Sequence, residues 1–194
     1  MFKRLAFAAT ALFAATAPAL AHLNPAEHGS FMAGFSHPLF GLDHILVMVA
    51  VGLWAATLGG RALVAVPAAF VGTMVFGFAA ALLGAPLPMV EPVILASIVF
   101  IGLMVTFALP LPVAGVAGVV AFFAFFHGHA HGAELGVAGA LPFAAGFAVA
   151  TALLHAAGIA LGLGVGRWRQ ERAGLTRFAG LATALAGLWL AFAG

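Results

Sequence analysis

The stretch His37-Pro-Leu-Phe-Gly-Leu-Asp43-His44, continued by Ile45-Leu-Val-Met-Val-Ala-Val-Gly52, decides how this chain folds. An aspartate beside a histidine, with a second histidine seven residues earlier, opens a segment apolar enough to lie in a membrane or a deep core. An aspartate near the centre of a membrane helix costs about 2.5 to 3.5 kcal/mol on insertion scales, so ionisable groups in such a segment indicate a functional site. A metal ion is the leading candidate to compensate them.

The composition is that of a polytopic membrane protein. Of 194 residues, 65% are hydrophobic and 6% are charged, and the mean hydropathy is +1.22. Cysteine is absent, which excludes disulfides, a thiolate metal site and a cysteine nucleophile. A metal would therefore take imidazole, carboxylate, backbone, water or thioether ligands. The sequence has no ATP-binding loop and no basic patch of the kind that nucleic acid requires.

Residues 1–21 combine Lys3 and Arg4, a short apolar run and Ala19-Leu-Ala21, which is the pattern of a secretory signal peptide. We expect cleavage after Ala21, with an uncleaved anchor helix as the alternative, and a single transmembrane domain over 22–194. Six apolar segments follow, each near the ~20 residues that cross a bilayer. The predicted fold is all-α, with six transmembrane helices at 38–59, 62–84, 88–109, 112–130, 140–165 and 175–193.

The charges predict an orientation. Cleavage would place residue 22 in the periplasm, so the loops after the first, third and fifth spans would be cytoplasmic. The outer segments carry no Lys or Arg. All the arginines of the mature chain then fall on the cytoplasmic side, namely Arg61, Arg167, Arg169, Arg172 and Arg177. This distribution fits the positive-inside rule. It predicts a multi-pass protein of the bacterial inner membrane with both mature termini in the periplasm.

Glycines and phenylalanines suggest how the spans pack. Gly158-Ile-Ala-Leu-Gly162 is a small-residue pattern that allows close helix approach, and packing within one bundle is favoured over a dimer face. An oligomer is left open. The Phe-rich stretches are interpreted as ordinary lipid-facing or packing surface.

His37 and His44 share a face on a helix that begins at Pro38, but lie about 10 Å apart along a straight axis. Either the helix is broken near Gly41, or the two histidines are successive stations on a path. The second alternative is favoured. Met48, four residues past His44 on the same face, is a candidate third station.

A second cluster is Phe126-His127-Gly-His129-Ala-His131-Gly-Ala-Glu134, placed at the outer end of the fourth span. In a helix, His127, His131 and Glu134 share a face and His129 points away, whereas an extended stretch would align all three histidines. Three imidazoles and a carboxylate within eight residues indicate a divalent transition-metal site. The alternatives are a solvated loop and a pH-responsive gate.

The remaining candidate metal-binding residues lie deeper in the membrane or nearer its outer surface than these clusters. His155, in the fifth span, would lie near mid-depth, level with Met48; a lone histidine there is otherwise an interhelical hydrogen bonder. His22, His28 and Glu91 are candidate outer entry residues, although an acid at a helix start is also favoured by the helix dipole. The ligands run inward from the outer surface, an arrangement that suits capture and stepwise transfer of an ion.

The HPxxGxDHxxxMxxVG pattern at 37–52, the FHGHAHGAE run at 126–134 and the LHxxGxxxG pattern at 154–162 resemble the HupE/UreJ family. The resemblance covers the whole mature chain. It implies a small six-helix permease for nickel or cobalt, with no permanent cofactor. It carries metal roles over to a set of candidate residues: Met48, His127, His129, His131, Glu134 and His155. The H-x5-D-H spacing at 37–44 is also similar to the H-x4-D-H signature of the larger nickel/cobalt permeases, from which it departs by one residue.

The leading hypothesis is import of Ni2+ or Co2+ from the periplasm, with Asp43 and His44 at the central site and residues 127–134 feeding it. We keep two alternatives from other classes. One is a metal-dependent intramembrane hydrolase, which would retain a bound zinc. The other is a metal-binding accessory subunit of a larger transporter, which would bind metal without transporting it alone.

Overall fold

A computed structural model describes residues 30–135, 139–164 and 169–193. The described residues form α-helices and contain no strand. There are seven such helices: α1 Phe31–Phe40, α2 Leu42–Leu58, α3 Ala62–Leu82, α4 Val90–Phe107, α5 Val113–Leu135, α6 Ala140–Gly164 and α7 Arg169–Ala193. The predicted signal peptide, His22 and His28 lie outside the described residues.

The first predicted span is broken. A helix beginning at Pro38 is wrong, because α1 begins at Phe31, where the Ser30 hydroxyl accepts a hydrogen bond from the Ala33 N–H at 3.0 Å, and Pro38 lies inside the helix. Gly41 then takes an extended conformation (φ −81°, ψ 115°) and separates α1 from α2. The two helices meet at 82°, so residues 38–40 belong to α1 and are separated from α2 by the bend.

The membrane segments are otherwise close to the prediction. Five helices, α3 to α7, are long and apolar enough to cross a bilayer, and the bent α1–α2 pair makes a sixth candidate if it counts as one span. The first four predicted spans are separated as expected, because residues 59–61, 84–88 and 109–112 are non-helical. The predicted end of the fourth span at residue 130 is too early, because α5 continues to Leu135 and keeps all of residues 127–134 helical.

Helix α2 lies at the centre of the bundle, where it contacts α1, α3, α4, α6 and α7. The most extensive pairings elsewhere are α3 with α5 and α4 with α7, while α6 packs against both α1 and α2. The α3–α5 pair is close at Gly128, where a Cβ atom would overlap the Met74 carbonyl group. This approach fixes α5, and with it the histidines on either side of Gly128, against the bundle.

The 158–162 glycine pattern faces the inside of the bundle. A Cβ atom on Gly158 would overlap the Val49 carbonyl oxygen of α2, and one on Gly162 would lie 2.5 Å from the Ala56 Cβ. Gly52 of α2 makes the reciprocal close contact with the backbone of α6. Packing within the bundle therefore accounts for these two glycines.

Gly158→Ala should destabilise the protein, because the added methyl group forces α2 and α6 apart. Overpacking of this kind costs about 1–3 kcal/mol. We expect a lower melting temperature for the purified protein in detergent. The matched control is Gly72→Ala on α3, an exposed position with nothing within 4 Å of the added atom. Equal melting temperatures for the two variants would contradict the close α2–α6 contact.

Candidate metal site

The break at Gly41 brings His37 and His44 together. On a straight helix the seven-residue separation would hold them about 10 Å apart. Across the bend their ring centroids are 5.2 Å apart. The structure thus has the broken helix, which was the less favoured of the two alternatives, and the two histidines face one space.

Helix α5 supplies a third imidazole to this space. One ligand atom from each of His37, His44 and His131 lies within 4.8 Å of the other two. His44 Nε2 and His131 Nε2 are 2.7 Å apart, so one donates a hydrogen bond to the other when no ion is present. When both nitrogens are unprotonated, their lone pairs can coordinate the same ion. No second group of three such ligands occurs among the described residues.

Carboxylates contact the other nitrogen of two of these rings. Asp43 Oδ1 lies 2.9 Å from His44 Nδ1. Glu134 Oε2 lies 3.6 Å from His131 Nδ1. A carboxylate on the far side of an imidazole orients the ring and raises its basicity as a metal ligand. Asp43 and Glu134 are therefore placed to orient His44 and His131 with Nε2 toward the shared space.

The three histidines line a cavity of about 250 Å³ that also contains Asp43, Glu91 and Glu134. This volume is roughly that of eight waters in the liquid, which leaves room for a partly hydrated ion. Glu91, in the first turn of α4, and Glu134 are exposed, with the Glu134 side chain 74% accessible, whereas His44 and His131 are buried. The cavity thus leads from exposed carboxylates to buried imidazoles.

Phe147 of α6 packs against all three histidines of the group. Its ring centroid is 4.8 Å from His131, 6.0 Å from His44 and 6.1 Å from His37. The side chain is 1% exposed. Interpreting all Phe-rich stretches as ordinary packing surface therefore missed its position at the site. The spacing of Phe143 and Phe147 at i and i+4 gives them one helix face, but nothing in the sequence shows that this face meets the histidines.

His127 lies one turn below His131 on the same face of α5. Its Nδ1 donates a hydrogen bond to the Phe123 carbonyl oxygen at 2.9 Å, and its ring centroid is 5.8 Å from that of His44. The structure thus has the helical alternative for this run, in which His127 and His131 are aligned. His127 lies outside the group of three, directly next to it.

Three other candidates are separate from the group. His129 points away, as a helix requires, and its Nε2 donates a hydrogen bond to the Ala85 carbonyl oxygen in the α3–α4 loop at 2.7 Å. Met48 is fully buried in the hydrophobic core. His155 lies deeper on α6, near the level of Met48, since its carbonyl group packs against Gly52 one turn beyond Met48.

The chain is similar to known proteins over nearly its whole length. A family model described as HupE / UreJ protein matches residues 10–190. Protein HupE of Rhizobium leguminosarum bv. viciae is 45% identical over 182 residues, which cover 92% of this chain and 93% of that protein. No solved structure matches the chain. The family match includes the bend, the histidine run of α5 and His155.

Gly41→Ala should weaken metal binding without unfolding the protein. Alanine accepts the Gly41 backbone angles, but its Cβ would lie 2.8 Å from both Asp43 Oδ1 and His44 Nδ1 and would push these side chains aside. Disturbing the groups that orient a metal ligand costs about 10- to 100-fold in affinity. Calorimetric titration with Ni2+ measures this loss.

The matched control is Gly118→Ala, where an added Cβ meets nothing within 4 Å. If Gly41→Ala binds nickel with unchanged affinity and melts at the same temperature as the control, the result would contradict a role for Asp43 and His44 in the binding site.

Proposed function

The chain belongs to the HupE/UreJ family, and on that premise we propose that it imports Ni2+ or Co2+ from the periplasm across the bacterial inner membrane. The family is associated with nickel and cobalt transport, and its members are transporters rather than enzymes. The hydrolase alternative is therefore set aside. The ion is the transported substrate, and the proposal includes no permanent cofactor.

The observation that carries the proposal is the convergence of His37, His44 and His131 from three helices on one space beside a carboxylate-lined cavity. Imidazole ligation without thiolate suits nickel, cobalt, copper(II) or zinc. Three imidazoles at the end of an open cavity, of which those of His44 and His131 are buried, replace water ligands as an ion enters. Conduction requires binding strong enough for entry and weak enough for release.

Each residue has a proposed role in this sequence of events. Glu91 and Glu134 attract the hydrated divalent cation at the cavity mouth. His37, His44 and His131 bind it, and Asp43 holds His44 in position and balances the charge of the ion. His129 joins α5 to the α3–α4 loop and does not bind metal. The loop that it anchors leads directly to Glu91.

The direction of the helices supports six membrane spans. Gly158 and Gly162 of α6 meet residues 49–52 and 53–56 of α2 in that order, so α2 and α6 run parallel. Met74 and Phe78 of α3 meet Gly128 and Gly132 of α5, so this pair is parallel too. If α2 to α7 cross a membrane one after another in alternating directions, α2 and α6 run parallel, and so do α3 and α5. The proposed topology is six spans after a cleaved signal peptide.

The charges support entry from the periplasm. Arg61 lies in the turn between α2 and α3, at the opposite end of α2 from Asp43 and the cavity. Positive residues favour the cytoplasmic side, so the cavity would open outward. Both mature termini would then be periplasmic, and the imported ion would leave near the end that carries Arg61.

Purified protein in lipid vesicles, with no other protein, should take up radioactive nickel or cobalt. His44→Ala and His131→Ala should lower the initial rate at least tenfold, because each removes a buried ligand. The matched control is His129→Gln, which keeps a donor for the Ala85 carbonyl group and should transport at close to the normal rate.

Normal transport by His44→Ala would contradict the proposed site. If the unaltered protein binds metal but takes none up into vesicles, the result would instead favour the accessory-subunit alternative. Transport would then require a complex with the larger transporter.

A further inference from the structure

Helix α1 turns an apolar face away from the bundle. Its buried residues are Ala33, Gly34 and Pro38. The outward face consists of three large side chains that are 42 to 66% exposed, namely Phe31, Met32 and Phe40. The hydroxyl of Ser36 donates a hydrogen bond to the Ala33 carbonyl oxygen at 3.2 Å, so it needs no water. The outward face therefore carries no charge and no unpaired hydroxyl.

Helix α1 is too short to cross a membrane and lies at one end of the bundle. Its ten residues extend about 15 Å, half of the ~30 Å hydrocarbon core. The 82° bend joins it to the end of α2 that is opposite Arg61. It also touches α6 near the start of that helix, where a Cβ atom on Gly34 would overlap the Phe143 carbonyl group. In the proposed orientation, these contacts place α1 at the outer ends of α2 and α6.

The backbone around the break is paired within the protein, as a lipid environment requires. Hydrocarbon offers no hydrogen bonds, so backbone groups that face it must find partners in the chain itself. The Gly41 N–H donates a hydrogen bond to the His37 carbonyl oxygen at 3.2 Å. The Gly41 carbonyl oxygen accepts one from the Ile45 N–H at 3.0 Å. The one residue that separates α1 from α2 thus leaves neither of its backbone groups unpaired.

Lipid fits the outward face better than a second copy of the chain does. A stable protein interface covers about 800 Å² on each partner. A fully covered phenylalanine buries about 150–250 Å², so three side chains that are 42 to 66% exposed offer only a few hundred Å². A helix that lies in the membrane interface, in contrast, buries one apolar face at the boundary of headgroups and acyl chains.

We propose that α1 is embedded in the outer half of the membrane, with Phe31, Met32 and Phe40 in contact with phospholipid acyl chains. This inference rests on the proposed membrane topology and not on transport of an ion. It joins the metal site to the lipid, because α1 carries His37 and Phe40 lines the cavity. The lipid holds α1 against the bundle and keeps His37 beside His44.

Fluorescence quenching by lipid tests this placement. The chain has no cysteine, so a single introduced thiol can be labelled alone with bimane. In vesicles of phosphatidylethanolamine and phosphatidylglycerol, phospholipid with a nitroxide on its acyl chain should quench the label at Met32→Cys and at Phe40→Cys. The quenching should be within about twofold of that at Phe76→Cys, a 67% exposed position within α3. It should be at least threefold stronger than at Ala85→Cys, in the exposed α3–α4 loop.

Other occupants of the outward face give other results. Iodide in the water that quenches the labels at 32 and 40 as strongly as at Ala85→Cys would overturn the proposal. Protection from both quenchers would overturn it as well. Disulfide cross-linking between Met32→Cys chains would then identify a second copy, and its absence would identify another segment of the same chain. Weak lipid quenching at Phe76→Cys would contradict the membrane topology, and this inference with it.

A charge on the outward face tests the link to the metal site. Met32→Glu places a carboxylate among acyl chains, so α1 should move toward water and take His37 with it. We expect the nickel affinity in lipid nanodiscs to fall about tenfold, and that of the control Met32→Leu to stay within about twofold of normal. Unchanged affinity in Met32→Glu would contradict the role of lipid in holding His37. If the unaltered protein binds no nickel while lipid quenches both labels, the metal site fails and the placement of α1 stands.

Discussion

The site depends on the break between helices α1 and α2. Gly41 lets the backbone leave the helix for one residue, and the 82° bend turns a 10 Å separation between His37 and His44 into a contact. His131 then completes a group whose members would lie apart if α1 and α2 were one straight helix. Discontinuous helices are tolerated at membrane depth where they line a cavity, and here the break forms part of the cavity wall. The same break places Asp43 in the first turn of α2, directly beside His44.

Close helix packing makes this arrangement possible in an apolar chain. Glycines at the α2–α6 and α3–α5 contacts let backbones touch, which fixes the depth of each histidine relative to the others. Ionisable groups are costly in such an interior, and here three histidines and three carboxylates line one cavity. Phe147 packs against the three-histidine group, so aromatic packing and the candidate metal site use the same interior space.

The sequence was sufficient for the all-helical membrane fold, for most of the loops and for the shared face of His127, His131 and Glu134, since these follow from hydropathy and from the helical repeat. It left the bend undecided, because one glycine among apolar residues is compatible with a continuous helix. Phe147 and the Ala85 partner of His129 could not be identified, because each depends on which helices become neighbours. Residues 37 and 131 are brought together by tertiary packing, for which one sequence contains no local signal.

The claim that the bend builds one metal site is tested most directly by X-ray absorption spectroscopy at the nickel edge, on purified protein loaded with one nickel per chain. We expect three imidazole ligands on the ion, at about the 2.0–2.1 Å of zinc–imidazole bonds. We also expect two imidazoles in His37→Ala, because His37 reaches the ion only across the Gly41 break. An imidazole count that is the same in His37→Ala as in the unaltered protein would contradict this claim.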